Sequence, residues 1–178
     1  WQLLHQGQDA ITEVPLSRCD TEQVQAATAL ARGLGASVSQ NRAQNRAMHG
    51  GGFLSQVDGF DPKFFGLSPR EATQMDPQQR LLMEVCWETL ENANLVAADL
   101  AGSQSGVFLG VSNSDYTRVQ GSQFNPDVYY GTGNAFSIAA NRLSYWLDWH
   151  GPSWAIDTAC SSALVAVHQA CQSLNAGD

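Results

Sequence analysis

Pro152-Ser-Trp-Ala-Ile-Asp-Thr-Ala-Cys160-Ser-Ser-Ala-Leu-Val-Ala-Val-His-Gln-Ala-Cys171 decides how this chain is read. Gly151-Pro152 is a turn signal, and Trp154 to Ile156 is a short apolar run with a β-branched end, which predicts a buried strand. From Ser161 onward the period changes. Leu164, Val167, His168, Cys171 and Leu174 fall at helical spacing, which predicts a helix with one apolar, core-facing side. Asn175 and Gly177 mark its end. Cys160 therefore stands where a strand delivers the chain to a helix N-terminus. The first amides of a helix lack intrahelical partners and the dipole makes that end positive. A thiol placed there is expected to ionise more readily than free cysteine. The same amides can steady the negative oxygen that develops when a thiolate attacks a thioester carbonyl. The blander reading of Cys160 is a buried small hydrophobe. Ser161 and Ser162 are expected to cap the helix.

Working outward, the segment before the strand reads as a helix. Ala135, Ile138, Ala139, Leu143, Trp146 and Leu147 repeat at helical spacing until His150-Gly151-Pro152 breaks the run. Further back, Ser105-Gly-Val-Phe-Leu-Gly-Val111 is an apolar run of strand type, followed by a polar loop, Ser112 to Tyr116, ahead of a short helix. Asp76-Pro77 opens an amphipathic helix from Pro77 to Asn92. Its stripe is Leu81, Leu82, Val85, Cys86 and Leu90, expected to pack on a sheet. Ser68-Pro69 starts another helix, with serine as cap, proline in the first turn and Glu71 near the positive end. At the start, Trp1 to Gly7 reads as a helix end closed by glycine. Gly50 to Gly52 reads as a turn. Residues 21–50 read as a loop-rich stretch, a weak helix and then an exposed polar loop, in which Arg42 and Arg46 sit on a solvated face. Strands alternating with helices predict an α/β fold with a mostly parallel sheet.

Composition excludes several classes. The net charge is −8, with Lys63 and eight arginines as the cations. These are not clustered as a phosphate-binding surface requires, so nucleic acid is not an expected partner. No apolar run approaches the roughly 20 residues of a membrane helix. The four cysteines, Cys19, Cys86, Cys160 and Cys171, show no metal-ligand pairing. This usage suits a reducing, cytoplasmic setting, with Cys86 and Cys171 expected in the core.

The active-site stretch Asp157-Thr-Ala-Cys160-Ser-Ser-Ala-Leu-Val-Ala-Val-His168 resembles the signature of β-ketoacyl synthases, in particular those of modular type I polyketide synthases. Gly52-Phe-Leu-x-x-Val-Asp-x-Phe-Asp61, Phe64-Phe-Gly-Leu-Ser-Pro-Arg-Glu71, Met75-Asp-Pro-Gln-Gln-Arg-Leu-Leu82 and Gly133-Asn-Ala-x-Ser-Ile-Ala-Ala-Asn-Arg-Leu-Ser144 are similar to that family in the same order. Several long motifs in order are far more specific than one short match. The likeness is close over residues 51–178 and loose over 1–18, where Ile11 to Pro15 resembles a family loop. Residues 21–50 depart from it, and the family usually has tryptophan where Cys19 stands.

The resemblance implies a thiolase-like fold, in which two related halves form αβαβα layers. Residues 1–178 would be most of the N-terminal half, truncated at both ends. It implies that Cys160 is the nucleophile of a decarboxylative Claisen condensation, with the Cys160 backbone N–H as one oxyanion donor. The implied partners are an acyl carrier protein, neighbouring acyltransferase domains and a second copy, paired through 154–157 and the apolar segment 129–137. The implied prosthetic group is the phosphopantetheine carried by the carrier protein, with none bound directly and no metal. The family's catalytic histidines lie in the other half. His168 does not replace them: eight residues along one helix is about 12 Å at 1.5 Å per residue, too far for a base. His5, His49 and His150 read as turn or loop residues. Two alternatives stand beside this reading: a non-catalytic module for dimerisation or carrier docking, and a parent pathway of fatty acid synthesis.

Overall fold

The structure, a computed structural model, describes residues 1–15, 50–121 and 127–178. The loop-rich reading of 21–50, with Cys19, Arg42, Arg46 and His49, lies outside the described residues except for Gly50. The chain divides into two compact units, Trp1–Gln56 and Val57–Asp178.

In the first unit, a single helical turn, α1 (Gln2–His5), ends as expected at Gly7. Gly7 takes φ +61°, and the Gly7 and Gln8 amides donate to the carbonyls of Leu4 and Leu3. The next two segments differ from their sequence reading. Ile11–Glu13 is a strand, β1, rather than a loop, and Gly50–Gly52 is a strand, β2, rather than a turn. They pair antiparallel, Ile11 opposite Gly52 and Glu13 opposite Gly50. Glycine runs read as turns because glycine favours no conformation. Here a partner 39 residues away in sequence supplies the ladder that decides (Thr12 to Gly51).

The second unit carries the site. Helix α2 (Pro69–Gln74) begins as the sequence predicts: the Ser68 hydroxyl accepts from the Glu71 amide and proline fills the first turn. Helix α3 (Pro77–Asn92) has Asp76 as its cap, accepting from the Gln78 amide. Its buried side chains are Gln79, Met83 and Leu90, while Val85 is exposed, so the core-facing stripe is rotated from the one read in sequence. It packs chiefly on a helix, Phe136–Leu147, rather than on a sheet.

Strand β3 (Val107–Gly110) runs parallel to β4 (Ser153–Ile156), Val107 opposite Ser153 and Gly110 opposite Ile156. Between them come α4 (Tyr116–Gly121), α5 (Tyr130–Asn134) and α6 (Phe136–Leu147). A parallel pair needs such a crossover. Helix α6 buries Ala139, Ala140, Leu143, Ser144 and Leu147, close to the predicted face, and stops where Asp148 turns left-handed at φ +53°. The core joins Phe65, Met75, Met83, Val107, Ala140 and Leu143. Among these, the fully buried Met75 and Met83 each contribute about 1.5–3 kcal/mol by leaving water. Gly133 lies inside α5. Its missing side chain lets the Gln74 carbonyl approach, and its own carbonyl accepts from the Asp76 amide. After β4, a 3₁₀ turn (Ala159–Ser161) leads into α7 (Ser162–Ala176), closed by Gly177 at φ +82°.

Candidate active site

Cys160 is exposed, in the middle of the 3₁₀ turn that joins β4 to α7. The strand-to-helix junction read in sequence is therefore present, with one added feature. Ala159 sits at φ +54°, a left-handed conformation that L-residues avoid.

A local web of hydrogen bonds holds that turn. Asp157 Oδ1 accepts from the Ala159 amide at 3.0 Å. Ser161 Oγ donates to the Thr158 carbonyl at 2.8 Å and bonds Thr158 Oγ1 at 2.9 Å. Ser162 Oγ accepts from the Thr158 amide at 2.9 Å and donates to the Ala159 carbonyl at 2.7 Å. These bonds correct the expected capping. Ser161 stands at the N-cap position but makes no side-chain cap bond to α7, and both serines instead brace the turn before it. The Cys160 amide has no acceptor among the described residues.

The seat of the turn is set by Gly110 at the end of β3. A Cβ there would stand 2.6 Å from the Ala163 nitrogen and 2.7 Å from the Ser162 carbonyl carbon. The first turn of α7 thus lies directly on the β3 backbone, which only glycine permits. A glycine inside a strand pattern is the sequence signal for such an approach, one that passes unnoticed when residues 105–111 are read only as an apolar run. Thr158 and Ala159 gave no comparable signal.

Helix α7 faces the opposite way from its sequence reading. Its buried residues are small, Ser162 and Ala166. Leu164, Val167 and Leu174 are 77%, 61% and 79% exposed, and His168 and Cys171 are exposed with them. Cys171 is thus not a core residue, while Cys86 is half-buried against the core, where burial pushes its thiol up. Trp154 is 50% exposed, so β4 is not the buried strand expected.

Other groups lie apart. His150 Nε2 meets Asp148 Oδ1 at 3.0 Å, and both are exposed. An open cleft of about 640 Å³ is lined by Phe65, Leu67, Met83, Tyr129, Arg142 and Trp146 among others, and does not include Cys160. At its wall Arg142 pairs with Glu71 at 2.6 Å and reaches Gln79 Oε1 at 3.0 Å. No cluster of His, Cys, Asp and Glu suits a metal ion among the described residues, and no helix among them is long and apolar enough to cross a membrane.

A strand, a left-handed residue, an exposed cysteine with a free amide and a helix of small inward residues together make a presented thiol. Residues 1–178 match the family described as "Beta-ketoacyl synthase, N-terminal domain". The chain belongs to the β-ketoacyl synthase family. It is 46% identical over 175 residues to a phenolphthiocerol/phthiocerol polyketide synthase component of Mycobacterium tuberculosis, covering 98% of this chain and 11% of that protein. It is 43% identical over 180 residues to a phthioceranic/hydroxyphthioceranic acid synthase of Mycobacterium bovis, covering all of this chain and 8% of that protein. The chain thus spans about a tenth of the length of these curated relatives. Among solved structures, the ketosynthase from module 6 of the bacillaene synthase of Bacillus subtilis superposes with TM-score 0.74 at 32% identity, over 99% of this chain and 25% of that one. An oxazolomycin ketosynthase domain of Streptomyces albus gives 0.75 at 34%, over 99% and 29%. The β-ketoacyl synthase likeness makes the fold thiolase-like, as the sequence resemblance implied.

Proposed function

We propose that this chain supplies the nucleophile half of a ketosynthase, with Cys160 as the residue acylated during polyketide chain extension. The observation that carries this reading is the exposed Cys160 on a braced strand-to-helix turn, its amide free to receive a developing oxyanion. The acyl group arrives as a thioester on the phosphopantetheine of an acyl carrier protein, and the exposure of Cys160 leaves room for that arm. The Cys160 sulfur adds to the thioester carbonyl, and the π pair moves onto oxygen, where the Cys160 N–H stabilises it. Collapse expels the carrier thiolate and leaves an acyl-cysteine. A malonyl-type extender on a carrier protein then loses carbon dioxide. The resulting carbanion attacks the acyl-cysteine, releasing the Cys160 thiolate and forming one carbon–carbon bond.

The decarboxylation needs donors for an enolate-like charge. His168 stands eight residues beyond Cys160, about 12 Å at 1.5 Å per residue, and His150 is engaged with Asp148, so neither serves. The family's histidines belong to the other half of the fold. That half also accounts for α7: Leu164, Val167 and Leu174 form the apolar face it would cover. A second copy would pair along β4, whose half-exposed Trp154 suits an interface. In the segment 129–137, Tyr129, Tyr130 and Phe136 are half-buried. A neighbouring acyltransferase domain would load the extender.

The test is to incubate full-length protein with an acyl thioester, digest it and locate the acyl group by mass spectrometry. Acylation at Cys160, abolished in Cys160→Ala, is the expected result. Acylation elsewhere, or none in protein whose carrier is loaded, would favour the non-catalytic docking module instead.

A further inference from the structure

Ser162 opens α7, and its side chain is buried where the residues around it are exposed. Its hydroxyl is fully used: it accepts from the Thr158 amide at 2.9 Å and donates to the Ala159 carbonyl at 2.7 Å. The Ser162 amide donates to that same carbonyl. One residue therefore grips the Ala159 carbonyl twice.

That carbonyl and the Cys160 N–H are opposite ends of one planar, trans peptide unit. Fixing the oxygen fixes the direction of the N–H. A rotation of this peptide would pull the Ala159 carbonyl away from both Ser162 donors and swing the Cys160 N–H away, with no other acceptor among the described residues holding that N–H in place.

We propose that Ser162 is a positioning residue, which keeps the Cys160 amide aimed at the oxyanion formed when Cys160 is acylated. The inference deepens, and rests on, the assignment of Cys160 as the nucleophile. It separates two reactions of the same sulfur. Thioester acylation passes through an oxyanion and needs the aimed N–H. Alkylation by iodoacetamide displaces iodide at an sp³ carbon and needs no oxyanion donor. Loss of the Ser162 hydroxyl should therefore slow the first and spare the second.

The experiment compares wild-type, Ser162→Ala and Ser162→Thr full-length protein. Two rate constants are measured at Cys160 by peptide mass spectrometry: acylation by an acyl thioester, and alkylation by iodoacetamide. Both are measured on protein shown by hydrogen exchange to be folded, because unfolded chain would be alkylated without being acylated. Removing an oxyanion donor outright costs about 10²–10³ in rate. For Ser162→Ala the acylation-to-alkylation ratio should fall by at least about tenfold, while Ser162→Thr, which keeps the hydroxyl, stays within about threefold of wild type. An unchanged ratio in Ser162→Ala overturns the proposal, as does an equal fall in both rates. If Ser162→Ala yields no folded protein, Ser162→Thr decides: a ratio lost despite the retained hydroxyl overturns it. Failure of the underlying assignment looks different, since acylation would then persist in Cys160→Ala.

Discussion

Gly110→Ala places a single methyl group at the point where β3 meets α7. The new Cβ would lie 2.6 Å from the Ala163 nitrogen, 2.7 Å from the Ser162 carbonyl carbon and 2.8 Å from the Ala163 Cα. All three are backbone atoms, so no side chain can swing aside. Carbon atoms rest comfortably about 3.5–4.0 Å apart, so α7 must retreat from the strand by roughly 1 Å. Forcing one methyl into a packed interior costs about 1–3 kcal/mol. The upper end applies here, because a helix must move rather than a rotamer. Cys160 moves with α7, since Ser161 and Ser162 tie the turn to the helix start. A displacement of about 1 Å at a reacting group costs on the order of 10² in rate. Hydrogen exchange across α7 and acylation of Cys160 by a thioester, both in full-length protein, read the two effects separately. The expected result is loss of about two decades of protection in the first turns of α7, at about 1.4 kcal/mol per decade, with acylation down by tenfold or more. Wild-type exchange and wild-type acylation in Gly110→Ala would refute the close-approach argument.

Iodoacetamide should label Cys160 ahead of Cys86, because Cys160 is exposed while burial pushes the Cys86 thiol up; faster labelling at Cys86, read by peptide mass spectrometry, contradicts this. Arg142→Lys should destabilise the second unit by about 1.5–3 kcal/mol, since lysine keeps the charge but cannot reproduce the forked contacts to Glu71 and Gln79; exchange of α2 and α3 amides within twofold of wild type would contradict it. The Asp127 carboxyl is held below its usual range, first by the Tyr129 amide and then by Arg70. A carboxyl depressed in the folded state adds stability above its unfolded value, about 3.9, and that stability fades as pH falls through the lower folded value. Asp127→Asn should therefore differ from wild type at neutral pH and converge with it in acid; a difference that grows below pH about 3 would reverse the sign.

Much of this fold was legible because local chemistry and tertiary context agree. Ser68-Pro69 and Asp76-Pro77 predict helix starts, and the caps are where those residues put them. The α6 stripe predicts its buried face, because that helix lies over β3 and β4 and its large residues fill the space. The β1–β2 pair was not legible, since three glycines carry no period and the partner strand lies far away in sequence. Cys160 could be placed at a strand-to-helix junction. The geometry of the junction could not, because nothing about alanine announces a left-handed Ala159.

The reversed reading of α7 has a physical cause that bears on the site. Periodicity marks the face where large apolar residues collect, and on α7 that is Leu164, Val167 and Leu174. Large side chains, however, hold a helix about 8–10 Å from its neighbour, too far to set the first turn against the β3 backbone. Close approach needs small residues on the helix and glycine on the strand, and Ser162, Ala166 and Gly110 meet that need. The face that positions the thiol is therefore the one hydrophobicity does not mark. The marked face stays exposed, and the two faces differ in consequence: the small one sets where Cys160 stands, and the large one does not touch the strand that seats it.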